Sequence, residues 1–172
     1  AENRHHTILI INGSGGVGSM ATQLAHLAGL QVLATASRPE SQKWVQDHGA
    51  DHVLNHRKPL PPQLKAAGFK NVDYILNLSH LDEHWSEIAT MIRPDGWVAA
   101  ITENRHGINL QKLTKKRATF VWEWMFSKSW YGYELDSQGA ILDQVAALLD
   151  KGTLQCTFCL LYTSPSPRDT ER

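Results

Sequence analysis

The chain has 172 residues, of which 42% are hydrophobic and 20% are charged, the size and composition of one globular domain with its own core. Seventeen lysine and arginine residues balance seventeen acidic residues, so net charge offers no attraction for nucleic acid or for an anionic membrane surface. The apolar runs fall far short of the roughly 20 residues that cross a bilayer. We therefore predict neither nucleic acid nor a membrane as a partner.

The predicted elements begin with a strand, a glycine-rich turn and a helix. Residues 7–12 (TILIIN) form an almost wholly apolar, β-branched run, typical of a strand buried on both faces. The sequence GSGGVG follows at residues 13–18, and apolar residues then recur at helical spacing through Leu27. A G-x-G-x-x-G motif between a strand and a helix is typical of a dinucleotide-binding turn. The alternative is a glycine turn that only joins the two elements.

Each glycine of the motif has a predicted task. Gly13 permits the tight turn, Gly15 lets the backbone approach a pyrophosphate, and Gly18 lets the helix pack closely on the strand. The pyrophosphate would lie on unpaired N–H groups at the positive end of the helix dipole. The loop residues that we predict to bind the cofactor are Gly13, Gly15, Gly16, Val17 and Gly18.

The end of the second predicted strand, residues 31–36, indicates which cofactor is bound. A domain that selects NAD carries Asp or Glu about 20 residues after the first glycine, where it holds the ribose 2′-hydroxyl. Here Ser37 and Arg38 occupy that neighbourhood, and the first acid is Glu40. A guanidinium pairs well with a 2′-phosphate, and a serine can donate a further hydrogen bond. The sequence therefore predicts NADP(H), unless Arg38 is only a solvated loop charge.

Strands and helices continue to alternate along the chain. The predicted order is a helix at 39–48, a strand at 51–55, a short helical stretch within 60–68, a strand at 72–78, a helix at 82–92, a turn at 94–96, a strand at 97–102, a basic connector at 108–116 and a final helix at 137–151. This alternation predicts an α/β fold, a doubly wound parallel sheet (Rossmann fold) with helices on both faces.

His56 directly follows the third predicted strand. Ligands of doubly wound sheets bind outside the carboxyl ends of the strands. We therefore predict that His56 contacts the adenine or its ribose phosphate; the alternative is an ordinary loop histidine.

Residues 118–126 (ATFVWEWMF) form a sixth predicted strand. Strand alternation places Phe120, Trp122, Trp124 and Phe126 on one face. A face this aromatic needs cover. Two covers remain open: a second copy of the chain, which would make this an edge strand of a dimer, and the final helix.

Neither the histidines nor the cysteines predict a metal site. Two histidine pairs have i, i+4 spacing, but one lies on a strand and loop and the other begins ahead of its helix, so neither pair shares a helix face. These pairs are His52 with His56 and His80 with His84. Two cysteines, Cys156 and Cys159, cannot build a disulfide framework. Their C-x-x-C spacing is that of redox or half-zinc motifs, but Cys159 belongs to a segment that we interpret below as a non-native tail. We expect a reducing, cytoplasmic location.

The glycine turn, the sequence ATASRPE at residues 34–40 and the sequence GADHVLNH at residues 49–56 resemble the medium-chain dehydrogenase/reductase superfamily, above all quinone oxidoreductases and zinc-type alcohol dehydrogenase-like proteins. The resemblance covers residues 7–154. It implies an NADPH-dependent reduction of a small-molecule substrate, a quinone or an activated α,β-unsaturated carbonyl, with hydride passing directly from the nicotinamide. It also implies a homodimer, for which the strand at 118–126 is the candidate interface.

The same resemblance implies a second, GroES-like domain whose larger part precedes the cofactor domain and carries the substrate pocket and any zinc ligands. No position of this chain matches those ligands or the catalytic residues, so the catalytic residues are unknown and we predict no metal site. We expect residues 1–157 to be a cofactor-domain fragment that is inactive alone. Residues 159–169 (CLLYTSPSPRD) resemble one reading frame of a transposase adapter used for sequencing libraries, so we interpret residues 158–172 as a non-native tail. A disordered Ser/Pro tail is the alternative.

Two other functions stay open. One is an S-adenosylmethionine-dependent methyltransferase, whose sheet also begins with a glycine turn. Such an enzyme usually carries an acid that binds the cofactor's ribose hydroxyls, at the position where this chain has Ser37 and Arg38. A non-catalytic module that senses a dinucleotide would share all of the binding features.

Overall fold

The structure is a computed structural model that describes residues 5–156. Its six strands are β1 (Thr7–Ile11), β2 (Gln31–Thr35), β3 (His52–Leu54), β4 (Val72–Asn77), β5 (Ile92–Ala100) and β6 (Thr119–Trp122). They form one sheet in the order β3-β2-β1-β4-β5-β6, and every neighbouring pair is parallel. The strand order reverses between β1 and β4, which confirms the predicted doubly wound sheet.

Helices cover both faces of the sheet, as predicted. They are α1 (Gly16–Leu27), α2 (Pro39–Asp47), α3 (Leu60–Ala66), α4 (Leu81–Met91), α5 (Ser127–Tyr131) and α6 (Leu135–Asp150), and a 3₁₀ helix spans Leu110–Lys116. Val45 of α2 belongs to the same buried cluster as Ile10 of β1, whereas Ile88 of α4 belongs to the cluster of Leu9. Because neighbouring strand residues point to opposite sides, these two clusters are the two faces of one sheet.

β5 begins earlier than predicted. α4 ends at Met91 and β5 starts at Ile92, whereas the sequence predicted a turn at 94–96 and a strand at 97–102. Ile92 pairs with Val72, and the next paired residue of β5 is Trp97. Residues 93–96 lie outside the ladder; among them Pro94 has no N–H to donate, and Asp95 is left-handed with a φ of 57°. The predicted turn is therefore a bulge within a longer strand.

β6 confirms the predicted sixth strand but is shorter than residues 118–126. It ends at Trp122, after which the chain enters α5. Phe120 packs edge-on against Trp85 of α4, with ring centroids 5.5 Å apart. Trp122 and Trp124 stay 50% and 47% exposed, and α6 has no buried residue. The alternative in which the final helix buries this face is therefore wrong.

The other predicted strands and helices are confirmed, with ends that differ by three residues at most. The predictions for Cys159 and for the 158–172 tail lie outside the described residues. Cys156 is described and is an exposed free thiol. Between residues 5 and 156, no helix is both long and apolar enough to cross a membrane.

Candidate functional site

The glycine loop leaves β1 at the carboxyl edge of the sheet. Asn12 adopts the left-handed conformation there, with a φ of 68°. Gly13 donates its N–H to the carbonyl of Thr35 at 3.0 Å, and a Cβ on Gly13 would lie 2.8 Å from the Cβ of Ala34. Gly13 lies within this turn, and the structure adds a reason for glycine there, because β2 lies too close for a side chain.

Gly18 lets α1 pack against the turn. A Cβ on Gly18 would lie 2.7 Å from the Cα of Gly13 and closer still to the carbonyl oxygen of Asn12. By contrast, no atom lies within 4 Å of a Cβ placed on Gly16. The close helix–strand approach predicted for Gly18 is confirmed.

The first turn of α1 is open to an anion. Gly15 is the N-cap, Gly16 and Val17 begin the helix, and the described residues supply neither a side-chain cap nor an acid in the first turn. Ser19 makes the first helical bond, to the carbonyl of Gly15 at 2.8 Å. The N–H groups ahead of Ser19 lie at the positive end of the helix dipole, an arrangement that fits a phosphate or pyrophosphate.

A groove of about 340 Å³ lies between the N-termini of α1 and α2. Residues 14–16 line one side, and Glu40, Ser41 and Trp44 line the other. The indole N–H of Trp44 donates to the hydroxyl of Ser19 at 2.7 Å, which holds the two helices together. Sequence reasoning missed Glu40 and Ser41 as lining residues. The available signal was their place in the first turn of a helix that starts beside the glycine loop.

Ser37 and Arg38 follow β2 at the same edge of the sheet. Arg38 is the extended N-cap residue of α2 and is exposed, whereas Ser37 is half-buried. The ion pairs found in residues 5–156 do not involve Arg38, so its guanidinium is available to an anion. Neither residue lines the groove that contains Glu40. A cation and an acid thus stand two residues apart at the start of α2.

His56 is held against β2. Its Nδ1 lies 3.2 Å from the hydroxyl of Thr35, which also accepts the N–H of Asn12 at 2.8 Å. The hydroxyl hydrogen is then free to donate to Nδ1, an arrangement that places the ring proton on Nε2. Burial lowers the pKa of His56, and the nearby His84, Arg57 and His80 lower it further. These effects favour the neutral form of the His56 ring.

A second cavity, of about 630 Å³, lies at the carboxyl ends of β5 and β6. Trp122 and Trp124 give it an aromatic wall, and residues 103–107 of the loop after β5 give it a polar one. The side-chain oxygen of Asn104 is buried in this loop without a hydrogen-bond partner among the described residues. A flat ring that carries a polar group fits such a lining.

Asn77 ends β4 at the point where the strand order reverses. It is fully buried, pairs in register with Ile11 of β1 and Ala100 of β5, and neither polar atom of its amide has a partner within residues 5–156. Buried amides are nearly always hydrogen-bonded. The sequence analysis gave Asn77 no role; the available signal was a lone amide at the end of an apolar strand.

The histidine pairs considered for metal binding have separate environments. His52 packs edge-on against Phe69 at 5.1 Å, whereas His56 contacts Thr35. His84 lies 3.7 Å from a carboxylate oxygen of Glu87. Over residues 5–156, no three or more His, Cys, Asp or Glu side chains converge in a way that could hold a metal ion.

Comparison with known proteins agrees with this geometry. The zinc-binding dehydrogenase family matches residues 16–137. A zinc-type alcohol dehydrogenase-like protein of Staphylococcus epidermidis is 42% identical over 128 residues, which are 74% of this chain and 38% of that protein. A quinone oxidoreductase of Homo sapiens is 39% identical over 74 residues, which are 42% of this chain and 22% of that protein.

The fold also matches a solved structure. A protein from Rhizobium etli CFN 42, described as a zinc-dependent alcohol dehydrogenase, superposes with a TM-score of 0.83 at 38% identity, over 87% of this chain and 44% of that one. The matched residues cover less than half the length of each of these three proteins.

Proposed function

The chain belongs to the zinc-binding dehydrogenase family of the medium-chain dehydrogenase/reductase superfamily, as its motifs predicted, and we propose that it is the NADP(H)-binding domain of an oxidoreductase. The observation that carries the proposal is the uncapped first turn of α1, beside a loop in which Gly13 and Gly18 leave no room for a side chain. This turn offers backbone N–H groups and space to a pyrophosphate. The rest of a dinucleotide would extend along the carboxyl edge of the sheet.

The choice of NADP(H) over NAD(H) rests on side chains at the end of β2. Arg38 is unpaired with any acid of residues 5–156, and Ser37 lies beside it as a hydrogen-bond donor. Glu40 lines the groove at the glycine loop and would repel a phosphate placed there. The proposal therefore requires the attraction of Arg38 to outweigh the repulsion of Glu40.

The proposed reaction is the reduction of a quinone or an activated carbonyl or enone. The bound nicotinamide would supply the hydride directly. The cavity at the ends of β5 and β6, with its wall of Trp122 and Trp124, has an aromatic lining that suits a flat ring. The likeness to a quinone oxidoreductase over 74 residues supports the substrate class. We assign no catalytic residue within this chain.

We propose that activity requires further protein. The GroES-like domain of the family would supply the larger part of the substrate pocket and complete the cavity at the ends of β5 and β6, so the chain binds cofactor but does not turn over substrate alone. The limit of the domain at residue 157 is tested in the parent coding sequence: family-like sequence that continues cleanly through that point overturns the adapter interpretation of residues 158–172. The low cysteine count supports a cytoplasmic setting.

We also propose a homodimer through residues 118–126. β6 is the last strand of the sheet, so one of its edges has no strand beside it within residues 5–156. Trp122 and Trp124 are half exposed, and Phe126 is 52% exposed. Edge pairing with a second copy would cover the backbone and these rings together. Sedimentation of wild type beside Trp122→Lys tests this: a dimer that the substitution converts to monomer is expected, and a monomeric wild type overturns it.

The binding proposal is tested by calorimetric titration of the 172-residue chain with NADPH, NADH and S-adenosylmethionine. We expect binding of NADPH, binding of NADH at least tenfold weaker, and no heat from S-adenosylmethionine. The variant that tests the pyrophosphate site is Val17→Asp. Val17 is 55% exposed, and an acid in the first turn of a helix leaves the fold intact. The carboxylate should abolish dinucleotide binding, whereas Val17→Asn should keep it. Equal binding by Val17→Asp and wild type contradicts the pyrophosphate site.

The two alternatives give different results. S-adenosylmethionine binding without dinucleotide binding would favour the methyltransferase. A dinucleotide-sensing module would bind NADPH, yet the parent, full-length protein would not oxidise NADPH when offered quinones or enones.

A further inference from the structure

Arg38 and Arg57 lie at the ends of two neighbouring strands. Thr35 of β2 and Leu54 of β3 are register partners, and the N–H of Ala36 donates to the carbonyl of Leu54 at 2.9 Å. Each arginine follows its strand's member of that pair by three residues. Because paired strands run about 4.8 Å apart, the two arginines leave the same edge of the sheet side by side.

The turn that carries Arg57 is fixed by hydrogen bonds. Asn55 accepts the N–H of Arg57 on its side-chain oxygen at 2.9 Å and the N–H of Lys58 on its carbonyl at 3.0 Å. Gln63 of α3 accepts the N–H of Asn55 at 2.8 Å and donates to the carbonyls of Asn55 at 3.0 Å and Pro59 at 2.8 Å. The backbone of this turn therefore needs no ordering when a ligand binds.

His56 ties the same turn to β2 through its contact with Thr35. Arg57 is the next residue of this turn, and its side chain is exposed. The turn after β3 and the end of β2 therefore carry their cations at the same edge of the sheet.

Both arginines are exposed and free of acidic partners. Within residues 5–156, no carboxylate forms an ion pair with Arg38 or Arg57. The lysines and arginines that do form ion pairs there are Lys43, Arg93, Arg117 and Lys128. Two unpaired guanidinium groups on adjacent strand ends repel each other unless an anion lies between them. A phosphate monoester carries close to two negative charges and three acceptor oxygens, which suits two guanidinium forks.

We propose that Arg57 is a second specificity-determining residue, which together with Arg38 clamps the phosphate monoester on the adenosine ribose of the cofactor. This inference rests on the proposed binding of a nicotinamide dinucleotide at the glycine loop. It explains how the site favours a phosphate although Glu40 lies in the first turn of α2, because two cations then face one acid.

The test compares the affinities for NADP⁺ and NAD⁺ of wild type, Arg57→Gln, Arg38→Gln and the double variant, measured by calorimetry on the 172-residue chain. Lys70→Gln, which removes an exposed positive charge from the turn before β4 at the opposite edge of the sheet, is the matched control. We expect Arg57→Gln to weaken NADP⁺ by about ten- to a hundredfold, as for a charge-assisted hydrogen bond, and to change NAD⁺ by less than twofold. The control should leave both affinities unchanged.

A second measurement separates the clamp from general charge. The wild-type affinity for NADP⁺ should fall more steeply with added salt than that of Arg57→Gln. An Arg57→Gln variant that loses equal affinity for NADP⁺ and NAD⁺, or that keeps its NADP⁺ affinity, overturns the inference. Equal wild-type affinity for the two dinucleotides overturns the clamp but leaves the pyrophosphate site standing, whereas a wild type that binds neither overturns the proposed function and the clamp with it.

Discussion

The hydroxyl of Thr35 lies 3.2 Å from Nδ1 of His56, and this contact ties the turn after β3 to the end of β2. The same hydroxyl accepts the N–H of Asn12 at 2.8 Å, just ahead of the glycine loop. Thr35 is fully buried, so one packed side chain positions two parts of the cofactor edge. The binding geometry is therefore in place before a ligand arrives.

Thr35→Val tests this role. Valine keeps the shape of threonine, but it leaves the N–H of Asn12 without its acceptor and frees His56. We expect a loss of about 1–3 kcal/mol of unfolding free energy together with weaker NADPH binding. Chemical denaturation and calorimetry measure the two effects. Thr35→Ser keeps the hydroxyl and should bind NADPH like wild type; if Thr35→Val also binds like wild type, the hydroxyl does not position the site.

The predictable parts of this fold are those that a single segment determines. The run at residues 7–12 is apolar at every position but the first and last, because a central parallel strand is buried on both faces, and so β1 could be predicted within one residue. The start of β5 could not be predicted, because Ile92 continues the apolar helical stripe of Ile88 and Trp85. Ile92 belongs to a strand because it pairs with Val72 of β4. Local pattern cannot reveal which strand will lie alongside.

The candidate site also has parts that one segment determines and parts that depend on distant residues. The glycines could be predicted because the motif is contiguous, but the close approach of β2 to Gly13 could not, since it depends on Ala34 of the neighbouring strand. The partner of His56 is 21 residues away in sequence. Arg57 went unnoticed because its position beside Arg38 follows from the register of β2 and β3, which the sequence does not specify.

Gly18→Ala and Gly16→Ala are a matched pair in one loop. A methyl group on Gly18 would collide with backbone atoms of residues 12 and 13, which cannot move without separating α1 from β1. On Gly16 it would meet no atom within 4 Å. We expect Gly18→Ala to lose several kcal/mol of stability or fail to fold, and Gly16→Ala to change stability by less than about 1 kcal/mol. Thermal melts of the two variants decide it; similar melting temperatures would contradict the tight packing at Gly18.

Asp73 lies at the amino end of β4 and joins it to β1 and β5. Its carboxylate accepts the N–H and the hydroxyl of Thr7, each at 2.8 Å, and the side chains of His6 at 3.1 Å and Arg93 at 2.5 Å. Burial acts to raise the pKa of Asp73, but the hydrogen bonds from Thr7, His6 and Arg93 outweigh it and lower the pKa to about 2. This end of the sheet is far from the cofactor edge, so the cluster concerns stability.

The stability that Asp73 provides depends on pH in a stated direction. Because its pKa falls from 3.8 in the unfolded chain to about 2 in the fold, the contribution is fully present above pH 3.8 and is lost as pH falls toward 2. We expect Asp73→Asn to lower the unfolding free energy by about 1–2 kcal/mol at pH 7, and the difference from wild type to shrink between pH 4 and pH 2. Asp95→Asn, which removes an exposed pair with Arg117, is the control and should show little effect at any pH. A difference that stays constant down to pH 2 would contradict the assignment.

We expect a substitution of Asn77 to change cofactor binding without lowering the stability of the fold. Its amide is buried without a partner in residues 5–156, at the point where the strand order reverses, so leucine of similar volume should not lower the unfolding free energy and can raise it by about 1 kcal/mol. A buried polar group that weakens the fold is expected at a functional edge, and Asn77→Leu should therefore weaken NADPH binding while the protein stays as stable as wild type. Thr22→Val is the matched control, because the hydroxyl of Thr22 is also buried and unpaired but lies in the middle of α1, about 9 Å along the helix from Gly16. It should leave binding unchanged. If both variants bind NADPH like wild type, the Asn77 amide has no part in the cofactor edge.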